Sequence, residues 1–173
     1  HEGVYTQLVD ENIQARIRFA DVLSGIAAKH GMLFTNNGNK TEIALGYATL
    51  YGDVSGAVAP IADLYKVQVF HLARYLNECV YGREVIPENI INGETVPSAE
   101  LSEAQDVTKG LGDPIKYGYH DALLRQIIEY RYTTCDFVQW YIDDRFLDRL
   151  EWNHAEQFYS YFEHAQAWLD DLQ

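Results

Sequence analysis

The stretch of this sequence best suited to chemistry runs from Asn37 to Glu42 and reads Asn-Gly-Asn-Lys-Thr-Glu. A short apolar run precedes it and a helical pattern follows, so we expect a strand-to-helix turn, where α/β folds place ligand sites. Glu42 follows Asn39 at the spacing of a capping box, in which the carboxylate accepts the backbone N–H of Asn39. A carboxylate in a first helical turn also suits Mg²⁺ and the phosphates bound to it. Both interpretations of Glu42 stay open from the residues alone.

Three cationic side chains are further candidates. Lys66 follows Asp63, which we expect to be the N-cap of a helix. The helix dipole disfavours a cation near a helix start, so Lys66 either extends into solvent or binds phosphate beside backbone N–H groups. Arg16 and Arg18 flank an apolar residue of a predicted helix, so at most one of them faces a neighbouring site, and a solvated pair is the simpler interpretation.

Other motifs carry less weight. Ser98 follows a proline and is expected to cap a helix. His120 lies between a tyrosine and an aspartate, but no Ser or Cys nucleophile is near it in sequence, which disfavours a catalytic dyad. Cys79 and Cys135 have no CxxC spacing and no clustered histidines, which disfavours a zinc site or a disulfide framework and fits a reducing cytoplasm.

Hydrophobic periodicity predicts a mostly helical chain with few strands. An apolar repeat predicts a helix over 12–29, ended by Gly31, and an apolar run predicts a buried strand over Met32–Thr35. The remaining expected elements are helices over 39–47 and 63–77, an extended piece over 58–61, a loop over 81–118, and helices over 119–131, 135–149 and 151–170.

The composition limits which classes of protein the chain can belong to. The chain has 173 residues, of which 47% are hydrophobic, as expected for about one globular domain. Its net charge is −13, and residues 71–173 carry −11 of it, so no basic stripe is available for a nucleic acid. No run of eighteen apolar residues exists, which excludes a predicted membrane-spanning helix, and we expect a cytoplasmic protein.

Five segments taken together resemble the NAD synthetases in order and spacing. The resemblance runs from about Glu11 to Leu101 and continues more weakly at 112–115 and 119–121, where the sequence is similar to that of the glutamine-dependent branch. The five segments are Asn12–Arg18, Asn37–Glu42, Gly46–Asp53, Asp63–Lys66 and Pro97–Leu101.

The resemblance implies a fold and a reaction. The fold would be the C-terminal part of an adenine nucleotide α-hydrolase-like, Rossmann-like α/β domain, mostly helical here, with 1–118 and 119–173 belonging to the same domain. The reaction would be ATP-dependent adenylation of deamido-NAD, followed by amidation with ammonia, drawn from glutamine in the full-length enzyme, to give NAD, AMP and pyrophosphate. The resemblance further implies a homo-oligomer with at least a dimer interface.

The resemblance also implies roles for matching residues. Glu42 would bind Mg²⁺ or the adenylated dinucleotide and Lys66 the ATP phosphates, and these two are the expected catalytic residues. Asn37 and Ser98 would join Lys66 in contacting ATP. The residues expected to contact deamido-NAD are Asn12, Arg16, Glu42, Tyr47, Thr49 and Asp53.

The sequence departs from the family pattern in two ways. Asn37 stands where many members have Thr, Leu50 where the ammonia-dependent branch often has Lys, and Ala57 where that branch has Asp. The family's Ser-Gly-Gly-x-Asp-Ser phosphate loop, the amidase domain and the basic C-terminal segment are not found in the 173 residues. We therefore expect a piece of an enzyme that makes no NAD by itself.

Two alternatives stay open at this point. One is another ligase with the same phosphate loop, of the GMP or asparagine synthetase type. The other is a non-catalytic nucleotide-binding or assembly module, in which the aromatic helices after Tyr119 contact a partner.

Overall fold

The computed structural model describes residues 6–93 and 112–173, together with residues 95, 98, 106 and 109. The described residues are mostly helical and belong to two compact units, which divide the chain into 1–115 and 116–173. Among the described residues no helix is long and apolar enough to span a membrane. The assignment of 1–118 and 119–173 to one nucleotide-binding domain stays a prediction.

The first unit begins with a long helix. Helix α1 (Gln7–Arg16) continues through a π-helical segment (Ile17–Leu23) into α2 (Ser24–His30), so the predicted helix is confirmed and starts earlier. Gly31 ends it at φ 62°, the left-handed conformation that favours glycine at this position. Only Ala15 of α1 is buried, and the apolar repeat that predicted the helix lies largely exposed in the described structure.

The predicted strand pairs at a single point. Thr35 forms a parallel bridge with Val58, and backbone hydrogen bonds of 2.8 and 3.0 Å lie on either side of it. Met32 and Leu33 are 63% and 78% exposed, so the expectation of a buried strand is wrong. A buried parallel strand needs neighbours on both edges and cover on both faces, whereas this segment has one short partner among the described residues. Gly56 permits the pairing, because a Cβ at its φ of 151° would lie 2.3 Å from the backbone nitrogen of residue 36.

The rest of the first unit consists of short helices joined by turns. These are α3 (Lys40–Leu45), α4 (Lys66–Tyr75) with a π-helical extension (Leu76–Tyr81), and α5 (Glu88–Ile91). The expectation that Asp63 caps α4 is wrong, because α4 starts at Lys66 and the exposed Asp63 side chain instead pairs with Lys40 at 3.4 Å. A turn closed by the Leu64 N–H and the carbonyl of residue 61 separates Asp63 from the helix.

The second unit contains five helices in the residues described. They are α6 (Tyr117–Ile128), α7 (Thr134–Ile142), α8 (Phe146–Leu150), α9 (Ala155–Tyr161) and α10 (Ala165–Asp171). The helices expected over 135–149 and 151–170 are therefore each broken in two. Asp144 and Glu151 adopt positive φ values of 54° and 57°, which interrupt the chain around α8.

These breaks allow one aromatic core to form. Phe146, Phe158 and Trp168 come from three different helices and pack together, with ring centroids 4.9 to 6.3 Å apart. The Nε1–H of buried Trp168 donates to the Tyr119 hydroxyl at 3.0 Å, which satisfies both polar groups. Burial raises the pKa of Tyr119 above its usual range; nearby Asp171 adds to this effect and the hydrogen bond from Trp168 opposes it. The core thus holds α6 to α10.

A carboxylate in the last helix forms what we call the Asp171 clasp. Asp171 accepts from the Lys116 ammonium at 2.6 Å and lies 3.1 Å from Nε2 of His120. The backbone N–H of Lys116 donates to Nδ1 of His120, so the neutral imidazole carries its proton on Nε2 and donates it to Asp171. Burial opposes ionisation of Asp171, but the hydrogen bonds from His120 and Lys116 outweigh it, and its pKa lies below the usual range.

Candidate functional site

The first turn of α3 carries the predicted capping box. The Asn39 side chain accepts the backbone N–H of Glu42 at 3.1 Å, and Oε2 of Glu42 accepts the backbone N–H of Asn39 at 3.1 Å. Asn39 is buried, so these bonds satisfy polar groups that water cannot reach. The capping interpretation of Glu42 is confirmed, and it fixes the orientation of the carboxylate.

A threonine in the first turn of α3 joins the start of that helix to the start of α4. Thr41 is fully buried, and its hydroxyl accepts the backbone N–H of Lys66 at 3.0 Å. That N–H lacks an acceptor within its own helix, because Lys66 is the first residue of α4. Thr41 therefore holds the start of α4 against the first turn of α3.

The consequence is an ion pair between the two candidate catalytic residues. Nζ of Lys66 lies 3.0 Å from Oε1 of Glu42, and the two side chains are 18% and 19% exposed. One carboxylate oxygen therefore caps α3 and the other holds a lysine whose ammonium would be disfavoured near a helix start without a counter-charge. Lys66 is not a solvated surface lysine.

We call the space around this ion pair cavity A. It measures about 380 Å³ and is lined in part by apolar groups of Phe70 and Ile90. Its polar lining comprises Glu42, Tyr47, Asp53, Lys66, Thr95, Ser98 and Asp113. One ammonium, three carboxylates and three hydroxyls thus converge on a volume within the range of small-molecule sites.

The loop after α3 is held against α1 by a chain of hydrogen bonds. The Thr49 hydroxyl donates to the Asn12 side chain at 2.9 Å, and the Thr49 backbone N–H donates to Asp53 at 2.7 Å. Gly52 is buried under this loop, and a Cβ there would approach Cγ2 of Thr49 at 2.9 Å and Cβ of Ala15 at 3.1 Å. Only a glycine at position 52 allows the loop to approach α1 so closely.

A second space, cavity B, lies between that loop and α1. It measures about 300 Å³ and shares Tyr47 and Asp53 with cavity A. Its other polar lining comprises Glu11, Asn12, Arg18 and Thr49. Tyr47 and Asp53 therefore stand where the two cavities meet, and the Tyr47 hydroxyl donates to Asp113 at 3.1 Å across cavity A.

The structure brings most of the expected site residues to these cavities. Glu42, Lys66 and Ser98 line cavity A, and Asn12 and Thr49 line cavity B. The segment Pro97–Leu101, apart from Ser98, lies outside the described residues, so its expected helix cap stays a prediction.

Two expected residues line neither cavity. Asn37 is exposed, and its side chain accepts the Thr35 hydroxyl at 2.8 Å. Nε of Arg16 donates to the carbonyl oxygen of Leu50 at 3.2 Å. Of the two flanking arginines it is Arg18 that lines cavity B. The sequence spacing predicted that at most one of them faces a site and did not say which.

Asp113 is the main lining residue that sequence reasoning did not select. It lies in the segment 112–115, which resembles the glutamine-dependent branch, and this was the only signal that pointed to it. Its carboxylate meets Tyr47 across 66 positions of sequence, a contact that no local pattern encodes.

The side chains of cavity A suit Mg²⁺ only if the metal ion replaces Lys66 as the partner of Glu42. Mg²⁺ in nucleotide sites is held by one or two carboxylates together with substrate phosphates and water, so no dense cluster is required. Within the described residues no group of three His, Cys, Asp or Glu side chains forms a metal site. Oε1 of Glu42 fits such a role if Lys66 gives way, and Asp53 and Asp113 supply further carboxylates in the same cavity.

Comparison with known proteins gives a consistent result. The NAD synthase family model matches residues 1–163. The NH3-dependent NAD+ synthetase of Chlorobium phaeobacteroides (strain BS1) is 40% identical over 139 residues, which cover 80% of this chain and 46% of that protein. The glutamine-dependent NAD+ synthetase of Synechocystis sp. is 43% identical over 122 residues, covering 70% of this chain and 20% of the relative. The chain therefore spans less than half the length of these relatives.

A solved structure supports the fold. The NMN synthetase from Francisella tularensis is 29% identical, with a TM-score of 0.54, and the match covers 69% of this chain and 45% of that chain. The expected fold class, the C-terminal part of an adenine nucleotide α-hydrolase-like α/β domain that is mostly helical in these residues, is confirmed. Since the family model covers nearly all of its length, this chain belongs to the NAD synthase family.

Proposed function

We propose that the chain is part of an NAD synthetase, an ATP-dependent ligase that converts deamido-NAD to NAD. The observation that carries the proposal is cavity A, where Glu42 and Lys66 meet at 3.0 Å beside hydroxyl and carboxylate groups. Membership of the NAD synthase family favours this reaction over a GMP or asparagine synthetase and over a non-catalytic module.

In this proposal Lys66 binds the ATP phosphates. Thr41 holds the backbone N–H of Lys66 at the start of α4 and Glu42 holds its ammonium, so little conformational entropy is lost when a phosphate replaces the carboxylate partner. Ser98 contributes a hydroxyl in the same cavity. Asn37 is the weakest assignment to ATP, because it lines neither cavity in the described structure.

Glu42 is the proposed metal ligand. Mg²⁺ bound there would neutralise charge that develops on the phosphates. The carboxylate stays oriented during such an exchange, because Oε2 remains bonded to the backbone of Asn39 while Oε1 changes partner.

The proposed deamido-NAD contacts lie on both sides of Tyr47. Asn12 and Thr49 line cavity B and are already oriented by their mutual hydrogen bond, and Asp53 faces both cavities. Arg16 contributes through the loop, since its guanidinium binds the carbonyl of Leu50. A ligand extending from cavity A to cavity B would pass Tyr47, as expected for a dinucleotide.

The proposed reaction has two steps. An oxygen of the nicotinate carboxylate bonds to the α-phosphorus of ATP, and pyrophosphate departs with the electrons of the broken P–O bond. Ammonia then attacks the activated acyl carbon, the C–O bond to AMP breaks, and the nitrogen loses a proton to give the amide. Lys66 stabilises the charge on the departing pyrophosphate, the main contribution a fixed cation makes.

The nitrogen source, assembly and location belong to the proposal as well. We propose glutamine as the source in the full-length enzyme, although relatives of both the ammonia and the glutamine type are about equally similar. We also propose a cytoplasmic homo-oligomer with at least a dimer interface, supported by the exposed apolar side chains of the first helix, Leu8, Ile13, Ile17, Val22 and Ile26.

Two experiments test the proposal. The 173 residues alone should make no NAD from ATP, deamido-NAD and ammonia, and measurable NAD formation would refute that part. Ligand-observed NMR should detect weak binding of ATP with Mg²⁺, reduced about tenfold by Lys66→Gln. Lys40→Gln is the matched control, because Lys40 lies in α3 and pairs with exposed Asp63 without lining either cavity. Equal affinities for the two variants would contradict the assignment of Lys66.

A further inference from the structure

The second unit contains a cavity that the proposed ligase site does not use. It measures about 380 Å³ and lies between the end of α7, α8 and α9. Five of its lining residues are aromatic or aliphatic, and the other two are acidic. We call it the aromatic cavity; its lining residues are Tyr141, Asp144, Phe146, Leu147, Asp148, Phe158 and Tyr159.

The walls of the aromatic cavity are preformed. Phe146 and Phe158 are buried members of the aromatic core, with ring centroids 5.5 Å apart. Tyr141 stacks on Trp168 with centroids 4.5 Å apart and an interplanar angle of 25°, so its ring is held in place from behind. A site built on such a core needs little rearrangement to accept a ligand.

The charge of the cavity has one sign. Asp144 and Asp148 are its only charged lining residues. Neither carboxylate forms an ion pair or a side-chain hydrogen bond in the part of the chain that the structure describes. The neighbouring cavity of about 200 Å³ differs, because Arg149 shares its wall with Asp148 and Glu151.

We propose that the aromatic cavity binds an organic monocation, such as an alkylammonium or alkylguanidinium group. Aromatic faces attract a cation through their quadrupole, and the two carboxylates add Coulomb attraction. A phosphate-bearing ligand would be repelled by Asp144 and Asp148. A bare divalent cation does not fit, because only two of the lining side chains are carboxylates, and no three-residue metal cluster exists among the described residues.

The test is an NMR titration of the whole chain with butylguanidinium, using butylurea as the neutral control of nearly equal shape. All three tryptophans lie in the second unit, and the indole N–H of Trp168 reports on the cavity because Tyr141 stacks on that ring. We expect butylguanidinium to shift this resonance with a millimolar dissociation constant and butylurea to bind several-fold more weakly. No shift, or equal binding of the two compounds, would overturn the proposal.

Variants connect the binding to the cavity. The double substitution Asp144→Asn and Asp148→Asn should weaken butylguanidinium binding about tenfold, since both favourable charges are lost. Asp143→Asn is the matched control, because Asp143 is adjacent in sequence, accepts a hydrogen bond from Gln139 and does not line the cavity. If the double variant binds butylguanidinium as tightly as the control and the unaltered chain do, the assignment of the binding to this cavity is wrong.

One more ligand distinguishes whether the natural cation is a protein side chain or a free small molecule. A short peptide containing a single arginine offers the same guanidinium on a macromolecular stem. Tighter binding of the peptide than of butylguanidinium identifies a protein side chain as the natural occupant, and weaker binding identifies a free small molecule. A Tyr159→Leu variant checks the result independently of charge, because it removes an exposed aromatic wall without disturbing the buried core, and it should weaken both ligands.

Discussion

The Asp171 clasp gives a prediction that can be worked out from the structure. Asp171→Asn keeps the shape of the side chain but removes its charge. The ion pair with Lys116 at 2.6 Å is lost, and the bond to His120 changes from a charge-assisted to a neutral one. The clasp joins the start of α6 to the end of α10, so its loss acts on the whole second unit.

The magnitude follows from the burial of the partners. Hydrogen bonds to charged groups contribute about 1.5 to 3 kcal/mol each, and exposed ion pairs much less. The side chain of Asp171 is 13% exposed and that of Lys116 is 26% exposed, so we expect the stabilisation from the clasp to lie between these limits. We expect Asp171→Asn to lower the free energy of unfolding by about 2 kcal/mol, because the asparagine still offers one acceptor oxygen. For a unit of this size that corresponds to a melting temperature lower by about 8 to 16 °C.

The assay is tryptophan fluorescence during thermal and urea unfolding. Trp140, Trp152 and Trp168 all lie in the second unit, so the signal reports on that unit alone. Asp170→Asn is the matched control. Asp170 is the neighbouring carboxylate, and the structure gives it only a bond from Gln166 one turn away, so its loss should change stability by less than about 0.5 kcal/mol.

The pH dependence provides a second readout. The pKa of Asp171 is lower in the folded chain than in the unfolded chain, so the carboxylate stabilises the fold at neutral pH. That contribution is complete above the unfolded pKa, near pH 4, and is lost as pH falls through the folded pKa. The stability difference between the unaltered chain and Asp171→Asn should therefore shrink below about pH 4. Equal stability of the Asp171 and Asp170 variants, or a difference independent of pH, would refute the reasoning.

Substitutions at three further positions have defined outcomes. Glu42→Gln should retain both bonds of the capping box and lose only the ion pair with Lys66. Glu42→Ala loses the ion pair and also the side-chain acceptor for the Asn39 N–H, so it should be less stable than the glutamine variant by about 1 kcal/mol, measured by calorimetry. Gly56→Ala should destabilise the first unit by at least about 2 kcal/mol, because a Cβ there would lie 2.3 Å from backbone, and circular dichroism during urea unfolding would detect it. Tyr119→Phe leaves the indole N–H of Trp168 unsatisfied and should lower the stability of the second unit by about 1 to 3 kcal/mol, measured by fluorescence.

Local patterns predicted the local parts of the site. The spacing of Asn39 and Glu42 predicted a capping box, and the capping box is present with both of its bonds. The same reasoning predicted that Lys66 lies near a helix start, and it is the first residue of its helix. Such features depend on a few neighbouring residues and on backbone geometry, so a short stretch of sequence suffices to encode them.

Contacts between distant segments were not predictable in the same way. The ion pair of Glu42 and Lys66 depends on Thr41, whose hydroxyl bonds to the other helix from 25 residues away. The break at Asp144 and the break between α9 and α10 were missed because an aromatic stripe has the same period in a straight helix and in two short ones. Packing of the rings into one core decides between them, and that packing is a property of the folded unit.

Glu42 is subject to two constraints that act through different oxygen atoms. The fold uses Oε2, and a glutamine could supply an equivalent acceptor, whereas the ion pair and the proposed chemistry use Oε1 and need a charge. A lineage that gave up the ligase reaction would thus be free to drift from glutamate to glutamine at this position, while alanine would still be selected against. The amino acid found at the equivalent position in a related sequence therefore reports separately on whether that protein keeps the fold and whether it keeps the reaction.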